Sequence, residues 1–448
     1  MKYTPTGLLT VYLEAGERLK VGRLAARDRR ILLEYDPAFI ASGIQISPLF
    51  LPLKAGVATG DPAIFDGLFG VFNDSLPDGW GRLLLDLAVE KYGIHRGQLT
   101  PLDRLAHVGP HGMGALVYEP DQTGNNEATI AVQLDRIAAE SATVLAGEQD
   151  DVVEKLFKLN GASSGARPKV VAQVSPDKEQ IIHGPMKLPA SYSHWIIKFP
   201  STRDASDLGP IEYAYSLMAK DAGIVMPETF LFGSEKKRYF GVKRFDRDGD
   251  RRIHMHSLSG LINADHHIPS LDYDGFLKAT LMLTRDVREV ETAFSLACFN
   301  VLAHNRDDHT KNFSFLIDTT GRWVLAPAYD LTFSYGPGGW QSTAVMGEGK
   351  APGVADLRAL AKKHGIAAAE SMIARVQDAI SRWPTHADAA GVTKKSASIV
   401  ERELRTSTQR DAPKATAEKS REKSPPAPAK KSSAKPKSKA EKPNLKRK

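Results

Sequence analysis

The chain has 448 residues, 42% of them apolar and 25% charged, with a formal net charge of +7. That length supplies core for two or three domains, and no run of about 18 apolar residues exists to span a membrane. Cys298 is the only cysteine, which excludes an internal disulfide or a cysteine-built metal site. Residues 1–23 alternate apolar and polar residues without the apolar block of a secretory signal, so the expected location is cytoplasmic. The charge is unevenly placed. Residues 410–448 hold 14 basic and 4 acidic residues, net +10, and the preceding residues hold 46 and 49, net −3. The basic character therefore belongs to the tail and not to the body.

In chain order, residues 6–35 read as short strands, with Leu8, Thr10, Tyr12 and Leu13 in a β-rich run. A turn-rich stretch at 73–79 precedes a helix over 80–92, where Leu84, Leu87, Ala88 and Tyr92 recur at helical spacing. Residues 107–114 read as a tight glycine-containing loop before a strand at 115–118. The polar gap at 121–127 suggests a subdomain boundary. A helix over 150–159 leads through the small-residue stretch Gly161-Ala162-Ser163-Ser164-Gly165-Ala166-Arg167-Pro168-Lys169 into a strand at 170–174. A second strand at 194–199 carries Lys198, a helix covers 211–222, and a strand at 239–244 ends in Phe245-Asp246-Arg247. Beyond about residue 250 the periodicity turns helical. Val287, Val290, Phe294, Ala297 and Val301 form one stripe, and Met372, Val376, Ala379, Ile380 and Trp383 another. A β-rich front and an α-rich back predict an α+β protein. Order is expected to fade from about His386. The Lys/Ala/Pro/Ser/Glu-rich end buries too little to offset its ordering entropy.

The chemistry concentrates in His304-Asn305-Arg306-Asp307-Asp308-His309-Thr310-Lys311-Asn312, directly after the first helical stripe. Asp307 and Asn312 have the Asp-x-x-x-x-Asn spacing of a kinase catalytic loop. There the Asp accepts a hydrogen bond from the attacking hydroxyl and the Asn offers an oxygen to Mg²⁺. A short hairpin at 312–325 comes next, then Tyr329-Asp330-Leu331, which places a carboxylate where a metal ligand is needed. Hard oxygens suit Mg²⁺, so Asp330 with Asn312 is a sensible pair. Each signal has a plainer reading. Asp and Asn favour turns, so the spacing arises by chance in loops. Lys198 is either a solvated strand end or a partner of the α- and β-phosphates. The stretch 161–169 is either a connector or a loop whose small residues let phosphates approach backbone N–H groups. His254 with His256 and His266 with His267 lack a clearly spaced carboxylate or cysteine, which argues against zinc. Cys298, inside an apolar stripe, reads as a buried inert thiol.

Taken together, these motifs resemble the HipA-type Ser/Thr kinases, the toxin halves of type II toxin–antitoxin pairs, over roughly residues 5–385. Asn305 to Ser314 looks like that family's catalytic loop, and Ala326-Pro327-Ala328-Tyr329-Asp330 is similar to its metal-binding stretch. Val242 to Arg247 resembles its hinge, and His194-Trp195-Ile196-Ile197-Lys198 its ATP-binding lysine strand. Ser75-Leu76-Pro77-Asp78 and residues 105–116 resemble its N-terminal region. The resemblance implies a protein-kinase-like two-lobed fold. Its parts would be a β-rich N-terminal subdomain at 1–125, an ATP-binding region at 126–247, a mostly helical lobe at 248–390 and a basic disordered tail at 391–448. It implies ATP and Mg²⁺, with Asp307 as base, Asn312 and Asp330 as metal ligands, Lys198 as phosphate contact and His309 beside the nucleotide. Lys243, through its backbone, and Phe245 would meet the adenine. Ser164, Gly165 and Lys169 would lie in the phosphate-side loop, which in this family carries an inhibitory autophosphorylated serine. Ala162 stands where the family has that serine, leaving Ser163 and Ser164 as candidates. The implied substrate is a protein of translation such as an aminoacyl-tRNA synthetase. The implied partner is a helix-turn-helix antitoxin, through which the chain would meet DNA. Two other functions compete: a small-molecule phosphotransferase, and a catalytically silent binding module working with a DNA-binding partner. The tail is either a solvated appendage or a non-specific, salt-sensitive contact to nucleic-acid phosphates. It has no aromatic residues with which to stack on bases.

Overall fold

The computed structural model describes residues 4–28, 30–123, 129–148, 152–161, 165–184, 188–189, 191–201, 204, 207–234, 237–268 and 271–409. No helix among them is long and apolar enough to cross a membrane. Ser163, Ser164 and residues 410–448 lie outside the described set.

The front of the chain forms a five-stranded antiparallel sheet in the order β4-β3-β2-β1-β5. The strands are β1 (Leu8–Glu14), β2 (Arg18–Arg27), β3 (Arg30–Tyr35), β4 (Val57–Thr59) and β5 (Leu116–Glu119). Alternation decides its faces, since Leu9, Val11 and Leu13 are buried while their neighbours are not, the period-two pattern of a half-buried strand. The helix Pro101–Val108 covers the sheet with Leu102, Leu105 and Ala106. Pro101 starts this helix and the Thr100 side chain caps it, accepting from Asp103 N at 3.2 Å, as first-turn chemistry favours. His107 therefore belongs to the last turn of this helix, and the glycine loop begins after it.

A second antiparallel sheet runs β10-β11-β9-β7-β8-β6. It contains β6 (Ile130–Ala131), β7 (Lys169–Val174), β8 (Ile181–His183), β9 (Ser193–Lys198), β10 (Thr229–Gly233) and β11 (Arg238–Lys243). Its core holds Val170, Trp195, Ile197 and Phe232, but also Trp80, Leu84, Leu85 and Ala88. The helix Gly79–Glu90 is thus part of the second core although it precedes residue 125. The chain therefore crosses between the two cores more than once.

The back half is helical. The helix Val287–Leu302 begins at Asp286, whose carboxylate accepts from Arg288 N at 2.9 Å. It buries Val290, Phe294, Ala297 and Val301 in the largest core, which also takes in Phe276, Ile373 and Trp383. Cys298 lies in the same helix, fully buried, and burial pushes its thiol well up. Order does not fade at residue 386 or 391. Trp383–Ala389 and Lys394–Gln409 are helices, and Val400 and Leu404 are buried against the core.

Candidate active site

The first helical stripe ends at Leu302, and the chain turns at His304, which has φ +56°. The loop beyond this turn is held from below. Asn305 Nδ2 donates to Asn300 Oδ1 at 2.9 Å. The fully buried Asp308 accepts from Tyr273 OH (2.6 Å), Gln341 Nε2 (2.9 Å), Ser342 N (3.0 Å) and Thr343 N (3.1 Å). Burial raises the Asp308 carboxyl to about 6 even so. This anchor turns Asp307 and His309 toward the opposite side, where both line a cleft of about 700 Å³. Asn312 closes the loop by donating from Nδ2 to Asp307 O at 2.6 Å, which leaves its amide oxygen as the atom for another partner.

The hairpin Ser314–Ile317 with Trp323–Leu325 then delivers Asp330. Asp330 adopts φ +53°, a left-handed conformation that costs an ordinary residue about 1 kcal/mol and concentrates at functional sites. Its carboxylate receives the Lys198 ammonium, which also donates to Glu212 Oε1 at 2.5 Å. Lys169 and Lys198 face each other across β7 and β9. Burial alone would raise the Asp330 carboxyl, but Lys198 and then Lys169 hold it well below the usual range. For Lys198, Asp330 and Glu212 overcome the effect of burial and keep the ammonium charged. Asp307 behaves oppositely: burial raises it, His309 counteracts and Asp330 adds to the rise.

Glu212 was not singled out by sequence. It sits on the helix Leu208–Asp221, 4% exposed. The helix approaches β11 closely at Gly209, where a Cβ would meet Arg238 O at 2.6 Å, and this approach brings Glu212 to Lys198. The signal available was a carboxylate among Ile211, Ala214, Tyr215 and Met218, all buried.

The hinge residues also line the cleft. Lys243 ends β11 with its N–H donated to Glu228 O at 2.9 Å, and the Phe245 ring lies 5.5 Å from Tyr329. Their position is fixed by the buried Asp246. It accepts from Arg244 Nε (2.9 Å), Arg247 Nη1 (2.7 Å) and Gly114 N (2.7 Å), tying the hinge to the front of the chain.

Gly165 and Lys169 line the same cleft. Gly165 has φ +111°, a conformation that favours glycine, while a Cβ there would meet only the mobile end of the Lys169 side chain. Of the residues proposed from sequence, Asp307, Asn312, Asp330, Lys198, Lys243, Phe245, His309, Gly165 and Lys169 come together in one cavity. His266 and His267 join them, and with the adjacent Asp265 they form a group whose ligand atoms lie within 4.8 Å of one another.

The donor set suits a nucleotide with a divalent cation. Asp330 and Asn312 offer hard oxygens, and Lys169 and Lys198 offer cations. His309 Nδ1 and Thr332 Oγ1, both at the cleft, are buried without a hydrogen-bond partner among the described residues.

Comparison with known proteins matches residues 9–119 to the HipA N-terminal domain and residues 161–383 to the HipA-like C-terminal domain. The chain belongs to the HipA family. Among solved structures it is similar to a chain of the Shewanella oneidensis toxin–antitoxin complex of HipA, HipB and operator DNA. The TM-score is 0.64 at 16% identity, over 89% of this chain and 95% of that one. That likeness shows the fold, which is α+β. A proinflammatory kinase of Helicobacter pylori, CtkA, aligns at TM-score 0.32 and 12% identity over 48% of this chain and 86% of that one, too partial a likeness to bear on function. A Haemophilus influenzae protein named provisionally as a kinase is 27% identical over 199 residues, 41% of this chain. The match spans about half of that relative's length, 55%.

Proposed function

We propose that this HipA-family chain is a serine/threonine protein kinase that uses ATP and Mg²⁺, modifies itself as well as a protein target, and acts as a toxin. The observation that carries the reading is the single cleft in which Lys198, Glu212, Asp307, Asn312 and Asp330 meet. A lysine on a strand paired with a helix glutamate, and a base set ahead of two oxygen ligands, are the parts that phosphoryl transfer requires.

In this reading Lys198 holds the α- and β-phosphates, with Glu212 fixing its direction. Lys243 and Phe245 flank the adenine. Asn312 and Asp330 hold Mg²⁺, which would neutralise charge on the β- and γ-phosphate oxygens. Asp307 orients the attacking hydroxyl and accepts its proton, a role favoured by its raised proton affinity. His309 lies beside the nucleotide, and Ser163 or Ser164 receives the phosphoryl group in self-modification. A protein of translation, such as an aminoacyl-tRNA synthetase, is the proposed target. The similar Shewanella structure holds HipB and operator DNA, which supports a helix-turn-helix antitoxin as partner and DNA contact mainly through it.

Titration of ATP with and without Mg²⁺ against the wild type, Lys198→Met and Asp330→Asn tests the nucleotide site. The reading expects Mg²⁺-dependent binding that Asp330→Asn weakens about tenfold or more, the worth of one charged ligand. Binding indifferent to Mg²⁺ and to both substitutions would refute it.

A further inference from the structure

Asp78 belongs to none of the roles above, yet its carboxylate joins three separate parts of the molecule. It lies just ahead of the helix Gly79–Glu90, which packs into the second core. Its Oδ1 accepts the backbone N–H of Gly165 in the phosphate-side loop. Its Oδ2 takes the Lys311 ammonium, one residue before Asn312, at 3.0 Å. His266 Nε2 lies 3.7 Å from the same oxygen. The next residues continue the grip. Trp80 N donates to Gly165 O at 3.0 Å, so the peptide groups on both sides of Gly165 are held. Gly79 allows the approach, because a Cβ there would sit 2.5 Å from Ala166 Cα. Trp80 itself is 2% exposed, which makes the anchor rigid.

Resting on the kinase reading, we propose that Asp78 is a positioning residue that straps the phosphate-side loop at Gly165 to the catalytic loop at Lys311 and so sets nucleotide affinity. Two donors suited to phosphate, a glycine N–H and a lysine, share one carboxylate. The carboxylate either fixes the loop over the nucleotide or competes with phosphate for the same donors, and these accounts predict opposite signs. The backbone bond from Trp80 and the close fit at Gly79 favour the strap, because they dock Gly165 against residues 78–80 and leave Asp78 as the acceptor of its N–H.

The test uses the full chain with Asp78→Ala and the milder Asp78→Asn, reading hydrogen exchange at Gly165, Mg·ATP affinity, kcat and Tm. The strap predicts exchange at Gly165 about tenfold faster in Asp78→Ala, with an intermediate effect in Asp78→Asn, whose side-chain oxygen still accepts. It predicts KM for ATP raised about tenfold, the size of one charge-assisted hydrogen bond, and kcat at saturating ATP within about twofold. Asp78→Asn decides if Asp78→Ala does not fold. Unchanged exchange and affinity would overturn the proposal, as would tighter ATP binding, which would make Asp78 a competitor of phosphate. If the wild type binds no nucleotide, the kinase reading fails separately, and exchange at Gly165 still decides whether Asp78 holds the loop.

Discussion

Replacing Glu212 by Gln removes one negative charge from the cleft with almost no change of shape. In the wild type Lys198 stands between two carboxylates, Glu212 Oε1 at 2.5 Å and Asp330. Glutamine keeps an oxygen acceptor but not the charge, so Lys198 is drawn toward Asp330 and away from the phosphates it would hold. A hydrogen bond to a charged group contributes about 1.5–3 kcal/mol and a neutral one about 1. The expected loss is therefore about 0.5–2 kcal/mol in transition-state stabilisation, or a fall in kcat/KM of roughly two- to thirtyfold. Global stability should fall by less than about 2 kcal/mol, because Lys198 keeps Asp330 and is not left as an unpaired buried charge. Single-turnover transfer of labelled γ-phosphate, beside urea unfolding of the same preparation, separates the two effects. A folded Glu212→Gln protein with wild-type kcat/KM would refute the assignment of Glu212 as the residue that orients Lys198.

The geometry yields three further expected outcomes. Gly165→Ala puts a Cβ into Lys169 Nζ at φ +111°, so ATP titration should show affinity reduced about tenfold, the order set by 1–2 kcal/mol of backbone strain, with secondary structure by circular dichroism unchanged. Asp308→Ala leaves four donors of the catalytic loop without their acceptor, and chemical denaturation should register a loss of about 3 kcal/mol or more. Acid should destabilise the fold. Burial lowers His111, His254 and His266 to about 4 and His194 to about 3, against about 6.5 in an unfolded chain. The unfolded state thus binds more protons below pH 6.5, and stability falls as pH drops from there toward 4. Asp308, raised to about 6, and Asp307 and Glu212, also raised by burial, act in the opposite direction over part of this range, but they are three groups against eight, since burial lowers His107, His183, His304 and His386 as well. A Tm that held steady or rose between pH 6.5 and 4.5 would contradict this sum.

Much of the site was legible because its parts are local. Asp307 and Asn312 share one loop, Asp330 comes after one hairpin, and Lys198 interrupts an apolar strand. Each can be read from a few neighbouring residues. Glu212 and Asp78 were not legible as site residues. Glu212 pairs across fourteen positions and Asp78 across 233, and no periodicity encodes such a meeting. Charged residues at helix starts are usually solvated, so neither stood out. The crossing of Gly79–Glu90 into the second core was hidden for the same reason, since amphipathic spacing states that a helix buries a face but not against which sheet. The helix Lys394–Gln409 was legible in principle. Val400 and Leu404 lie at i and i+4, but two apolar positions in a strongly polar stretch were outweighed by its composition.

The central claim is that this cleft transfers a phosphoryl group from ATP to a hydroxyl with Asp307 as base. The most direct measurement incubates the full chain with Mg²⁺ and γ-labelled ATP, alone and with a cell lysate, beside Asp307→Gln. The account predicts label on the chain or on a lysate protein, lost in Asp307→Gln while ATP binding persists. Equal labelling by both proteins would contradict the role of Asp307, and absence of label from the wild type despite bound ATP would contradict the claim of transfer itself.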